Sequence, residues 1–258
     1  MDRGINPLTT QSKQQTTPRT LLETANKFSS LKFSGNNPQL DASPIEEDID
    51  ENGVRHRMRL VPGPRSYSQV TVMGEETLVF STSITSGIRV HEFNQCFNGE
   101  GRISFRRFPG GKAHQIKEYI PINLKEVIPK TVLIQSGGND LSTPKGHTEL
   151  SVESIANEVI ESGNICKGFG VKNVVISGIP LRRNRYIQER CTRLNELLME
   201  MCGYHGFTFV DNGNIDESHV RNDGTHLNYE GSELLANNYL YYLNNLVDTE
   251  KLSSTSTS

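Results

Sequence analysis

No stretch of this 258-residue chain approaches the ~18 consecutive apolar residues that a membrane helix requires, so no membrane span is expected. No charged n-region followed by an apolar h-region opens it, so no secretory leader is expected either. Cysteine is scarce: Cys96, Cys166, Cys191 and Cys202 form no CxxC pair, and no Cys/His cluster has zinc spacing. That composition predicts a reduced, intracellular, cytoplasmic protein with no structural metal. A strong charge of either sign is also missing. The net charge is −3, which argues against a generic polyanion binder. Apolar residues make up only 34% of the chain, so part of it is expected to lie outside any core. There is no internal repeat.

The deficit is concentrated at the N-terminus. Met1 to Asn37 is rich in Thr, Ser, Gln and Asn, with one candidate helix over Pro18 to Phe28. An acidic cluster (Glu46, Glu47, Asp48, Asp50, Glu51) and a basic one (Arg55, His56, Arg57, Arg59) follow, then the turn Pro62-Gly63-Pro64. Such a segment cannot bury enough apolar surface to offset the cost of ordering it. Residues 1–69 are therefore expected to be a disordered segment and linker, residues 70–248 a folded domain, and residues 249–258 a disordered tail.

Within 70–248, short β-rich runs alternate with amphipathic helices. Strands are predicted over Val70 to Met73, Thr77 to Phe80, Ile103 to Phe108, Thr131 to Gln135, Asn173 to Ser177 and Phe207 to Val210. Asn184 to Cys202 reads as a helix whose apolar stripe is Ile187, Cys191, Leu194, Leu198 and Met201. Cys191 on that stripe reads as a small buried hydrophobe. A last helix begins near Tyr229 and carries Leu235, Tyr239, Tyr242, Leu243 and Leu246. This alternation predicts an α/β fold with a parallel sheet covered on both faces. Sites in such sheets form in the loops after the strands.

Those loops carry a consistent set of residues. Ser81-Thr82-Ser83-Ile84 follows the first clear strand, and Pro109-Gly110-Gly111 the second. Gly137-Gly138-Asn139-Asp140 and Gly178-Ile179-Pro180 follow the next two, and the last loop ends in Asp223-Gly224-Thr225-His226-Leu227-Asn228. Together they suit acyl transfer. A serine hydroxyl is a weak nucleophile that needs a base, a role open to Ser83 with His226. Asp223, three residues earlier, would orient the imidazole and stabilise its cation. The N–H groups of Ser83 and Gly110 and the amide of Asn139 would donate to the oxyanion. Each residue has a plainer reading on its own. Serines cap helices, and Gly, Asn and Asp favour turns. The remaining histidines, His91, His114, His147, His205 and His219, lack partners at ligand spacing and read as structural or solvent-facing.

The order of these blocks resembles the SGNH hydrolases, or GDSL-type esterases. Gly137-Gly138-Asn139-Asp140 resembles their GxND block and Asp223 to Leu227 their DxxH block, while Phe108-Pro109-Gly110 resembles the block that supplies a second oxyanion donor. Ser83 falls at the nucleophile position. Within the superfamily, Val175 to Asn184, and Asp223 to Asn228 with Gly231, resemble esterase-like domains of invertebrate genomes and some retroelement first reading frames. The resemblance implies a three-layer α/β/α sandwich with a flavodoxin-like parallel sheet. It implies a serine hydrolase acting on a small-molecule carboxylic ester, acetyl or short acyl, without a cofactor.

One block departs from the family: Ser81-Thr82-Ser83 stands where Gly-Asp-Ser is usual. Ser81 lacks the backbone freedom of glycine at a tight turn, and Thr82 removes a carboxylate. The alternative is therefore a catalytically degenerate domain that binds nucleic acid or protein. Its basis is a local excess of 15 Lys and Arg over nine Asp and Glu across residues 100–193. Glu189 and Glu196 interleave with those arginines, which favours a solvated helix face instead. Arg182 and Arg183, just beyond a strand end, are also candidate contacts for an anionic substrate.

Overall fold

The computed structural model describes residues 48–49, 55–56, 75–142 and 149–255. The expected helix at Pro18 to Phe28, the expected strand at Val70 to Met73, and His147 lie outside these residues. The chain divides into two compact units, residues 1–66 and 67–258. In the first, strands β1 (Asp48–Ile49) and β2 (Arg55–His56) pair antiparallel, a pairing without a sequence signal.

The second unit is built on five parallel strands: β3 (Glu75–Ser81), β4 (Arg102–Arg107), β5 (Thr131–Gln135), β6 (Asn173–Ser177) and β7 (Thr208–Val210). Their order is β4-β3-β5-β6-β7. Helices α1 (Val90–Gln95), α2 (Ala113–Leu124), α3 (Val152–Gly168), α4 (Arg185–His205) and α5 (Tyr229–Thr255) link or follow the strands. The strands fall within a residue or two of the predicted runs. The helix α5 continues to Thr255, so the expected tail at 249–258 is helical for most of its length. No glycine or proline interrupts that stretch.

Side chains on a strand alternate between faces, and here both faces are buried. Leu78, Phe80, Val132, Ile134, Val174 and Ile176 pack with α2, α3 and α4. Val79, Leu133, Val175 and Val210 pack with Phe93 of α1 and with Leu235, Tyr239 and Leu243 of α5. The result is the three-layer α/β/α sandwich expected from the sequence. On α4, Cys191, Leu194 and Leu198 are fully buried, as the stripe predicts, while Ile187 and Met201 pack at its margin. Burial pushes the Cys191 thiol up to about 11, so it is an inert core residue.

The parallel register aligns the carboxyl ends of the strands. Ser81 pairs with both Arg107 and Gln135, and Ser177 with Val210. The chain runs from β3 out to β4, then returns to β5 on the other side of β3. This reversal opens a crevice beyond β3 and β5, where ligands bind in open α/β sheets. Among the described residues no helix is long and apolar enough to cross a membrane.

Ile134 lies on the central strand with no exposed surface. Ile134→Ala is expected to cost ~2–5 kcal/mol in urea unfolding, with an unchanged denaturant slope. A loss below ~1 kcal/mol would show that the sheet is not the core of this unit.

Candidate active site

The turn after β3 tolerates its unusual residues because each finds a buried partner. Ser81 ends the strand, and its hydroxyl lies 2.7 Å from that of Thr85. Thr82 is extended, with φ −91° and ψ −167°, a conformation that requires no glycine. Its N–H and its hydroxyl both donate to Gln135 Oε1, at 3.1 and 2.8 Å. Thr82 is 3% exposed and Gln135 fully buried. An amide oxygen from the end of β5 thus anchors the turn from β3 by neutral hydrogen bonds. Ser83 then opens a short 3-10 turn, Ser83–Thr85. As the first residue of that turn, its N–H has no acceptor within it.

The second half of the site comes from the loop between β7 and α5. Asp223 Oδ1 accepts the N–H groups of Thr225 and His226, each at 2.8 Å. Its Oδ2 lies 3.0 Å from His226 Nδ1. A carboxylate only accepts, so Nδ1 carries the proton and Nε2 is left as an acceptor. Ser83 Oγ lies 3.0 Å from that Nε2. Ser81 and Thr82 thus leave Ser83 within hydrogen-bonding reach of His226. The two backbone amides, His226 foremost, hold the Asp223 carboxyl down to about 2. An antiparallel bridge between Val220 and Leu227 and a 2.7 Å bond from Arg221 N–H to His226 C=O close the loop on itself.

The other two expected oxyanion donors, Gly110 and Asn139, sit on two neighbouring loops. Gly110 has φ +72°, a left-handed conformation that suits glycine, and Gly111 N–H closes the turn on Phe108 C=O at 2.9 Å. The Asn139 side-chain amide donates to Gly111 C=O at 2.9 Å, joining the two loops. Its nitrogen carries a second hydrogen for another acceptor. Asp140, which follows it, is buried and accepts the Ala113 N–H at the start of α2 at 2.9 Å. Burial raises its carboxyl above the usual range.

Arg182 and Arg183, expected as candidate contacts for an anionic substrate, both donate to backbone carbonyls. Arg182 is 5% exposed and its guanidinium donates to Thr225 C=O. Arg183 donates to Val220 C=O at 2.7 Å and Glu217 C=O at 3.1 Å. Both reach backbone carbonyls because the β6–α4 connection lies against the 217–225 segment, while the buried Arg182 Nε has no hydrogen-bond partner among the described residues. The other arginines of α4 pair with acids: Arg185 with Glu189, Arg190 with Glu149, and Arg193 with Glu196. His219 shares a capped turn with Asp216, His91 contacts Gln95, and His205 contacts Asn164. Among the described residues no group of three or more His, Cys, Asp or Glu side chains is placed to hold a metal ion.

The anchors Gln135 and Asp140 are absent from the expected site. Their signal in the sequence is a polar residue closing, or closely following, a strand with an apolar centre.

Solved structures share this architecture. An acetylxylan esterase from Geobacillus stearothermophilus matches with a TM-score of 0.56 at 16% identity, covering 66% of this chain and 95% of its own. A GDSL-like lipase from Bacteroides thetaiotaomicron matches with 0.54 at 16%, covering 66% and 89%. An alpha/beta hydrolase enzyme from the Lake Arreo metagenome matches with 0.55 at 16%, covering 66% and 95%. No protein-family model matches the sequence, and no curated protein is significantly similar to it. The chain has the SGNH hydrolase fold.

The depressed Asp223 carboxyl has a thermodynamic consequence. Its folded value, about 2, lies below the unfolded value of ~3.9, so its stabilising effect is present above pH ~4 and lost as pH falls toward 2. Asp223→Asn should lower the urea midpoint at pH 7, and the difference from wild type should shrink steadily below pH ~4. A difference that persisted undiminished at low pH would contradict this origin.

Proposed function

We propose that this chain is a serine hydrolase of the SGNH type that cleaves a small carboxylic ester, acetyl or short acyl. The observation that carries the reading is the continuous relay from Ser83 Oγ through His226 to Asp223, with 3.0 Å at each step. Ser83 Oγ attacks the ester carbonyl carbon as His226 Nε2 takes its proton. The N–H groups of Ser83 and Gly110 and the Asn139 amide receive the oxyanion. The intermediate collapses as the imidazolium returns the proton to the leaving alcohol oxygen. Water, deprotonated by His226, then attacks the acyl-serine. The carboxylic acid leaves, and the proton returns to Ser83. Asp223 stays ionised throughout and supports the imidazolium. No step needs a cofactor.

Two features favour a short acyl group on a larger alcohol. The side chains of His226 and Asp223 are 38% and 47% exposed, so the relay stands at an open surface. One structural neighbour is named an acetylxylan esterase. Within the superfamily we place the chain beside the esterase-like domains of invertebrate genomes and retroelement reading frames, with 70–248 as the hydrolase domain. The unpaired cysteines accord with a reducing, cytoplasmic setting. Arg185, Arg190 and Arg193 of α4 pair with acids, which favours a solvated helix face over a nucleic-acid or protein binding surface there.

Ser83→Ala should lower hydrolysis of p-nitrophenyl acetate by at least ~10³-fold while leaving the thermal midpoint near that of wild type. Retention of full activity in a folded Ser83→Ala protein would overturn the assignment.

A further inference from the structure

We propose that Arg182 and Arg183 form a clamp that positions the loop carrying Asp223 and His226, with Arg182 as the positioning residue for the imidazole. The inference rests on the hydrolase reading. That loop spans 211–228 and supplies both the acid and the base, and a relay atom displaced by ~1 Å can cost on the order of 10²-fold in rate. The two arginines are adjacent in the chain but grip the loop at different points. Arg182 turns inward. Its guanidinium donates to the carbonyl of Thr225, the residue before His226. Its own N–H donates to Gln188 Oε1 on α4 at 2.7 Å. A buried guanidinium must be hydrogen-bonded to be tolerated, so this contact resists loss. Arg183 takes the outer side. Its N–H donates to Gly224 C=O at 3.1 Å, and its guanidinium to the carbonyls of Val220 and Glu217. The contacts at 217, 220, 224 and 225 bracket Asp223 from both sides.

The clamp also reaches the other half of the site. Arg182 Nη2 lies so close to Gly138 that a Cβ there would sit 2.8 Å from it. Gly138 precedes Asn139, so the bare glycine makes room for a guanidinium wedged between the Asn139 loop and the His226 loop. One buried cation thereby sets the distance between the two loops.

The test uses the full chain and three variants: Arg183→Met, whose side chain is exposed and not needed for the core, Arg182→Met and Arg182→Lys. The primary readout is amide hydrogen exchange over residues 217–227, which needs no activity. Exchange should rise in Arg183→Met and Arg182→Met. The kcat for p-nitrophenyl acetate should fall roughly 10- to 100-fold in Arg182→Met with KM within about threefold, and Arg182→Lys should recover part of it. If Arg182→Met does not fold, Arg183→Met and Arg182→Lys decide the matter. Wild-type exchange in Arg183→Met overturns the clamp, and faster exchange with unchanged kcat in the folded Arg182 variants overturns the positioning role. A wild type that hydrolyses nothing would sink the hydrolase reading and leave the exchange test of the clamp standing.

Discussion

Parallel strands cannot be joined by tight turns, and that constraint shapes everything else in this unit. Each strand must return over a face of the sheet before the next begins, so every loop that follows a strand emerges at the same edge. Burial on both faces then requires apolar residues at successive strand positions, which Val132, Leu133 and Ile134 supply. The reversal of direction at β3 leaves a crevice there, and Ser83 stands at it.

At that edge the packing changes character. Buried polar groups replace apolar ones, and several of them bond across strands and loops. Thr82 depends on Gln135, Ser81 on Thr85, Asp140 on the first amide of α2, and Asn139 on Gly111. Such groups are costly when unpaired, so they constrain geometry more tightly than apolar contacts do. These bonds hold the Ser81-Thr82-Ser83 turn with Ser83 Oγ 3.0 Å from His226 Nε2. The extended backbone at Thr82 needs no glycine, and its hydroxyl binds a neutral amide.

Periodicity made the strands and the α4 stripe legible in the sequence, because a pattern of burial depends only on local spacing. Thr131–Gln135 matches its predicted bounds. That Ser83, Asp223 and His226 lie in loops beyond strand ends was legible because the strand pattern restricts where such loops stand, and the structure brings the three side chains within hydrogen-bonding reach. The carbonyl partners of Arg182 and Arg183 were not legible, for the opposite reason. A cation beyond a strand end looks the same in sequence whether it faces solvent or a backbone carbonyl. Only the path of the 217–225 segment, some 35 residues further on, decides which. Gln135 escaped notice because a single amide has no period. The end of α5 extends past its expected limit because Ser and Thr weaken a helix without stopping it.

The central claim is that Ser83 is an activated nucleophile, and covalent labelling tests it without knowledge of the natural substrate. Wild-type protein is treated with a fluorophosphonate probe, digested, and the adduct mapped by mass spectrometry. The account predicts one adduct per chain, on Ser83, that fails to form in His226→Ala. A folded wild-type protein that takes no label, or takes it on another serine, would contradict it.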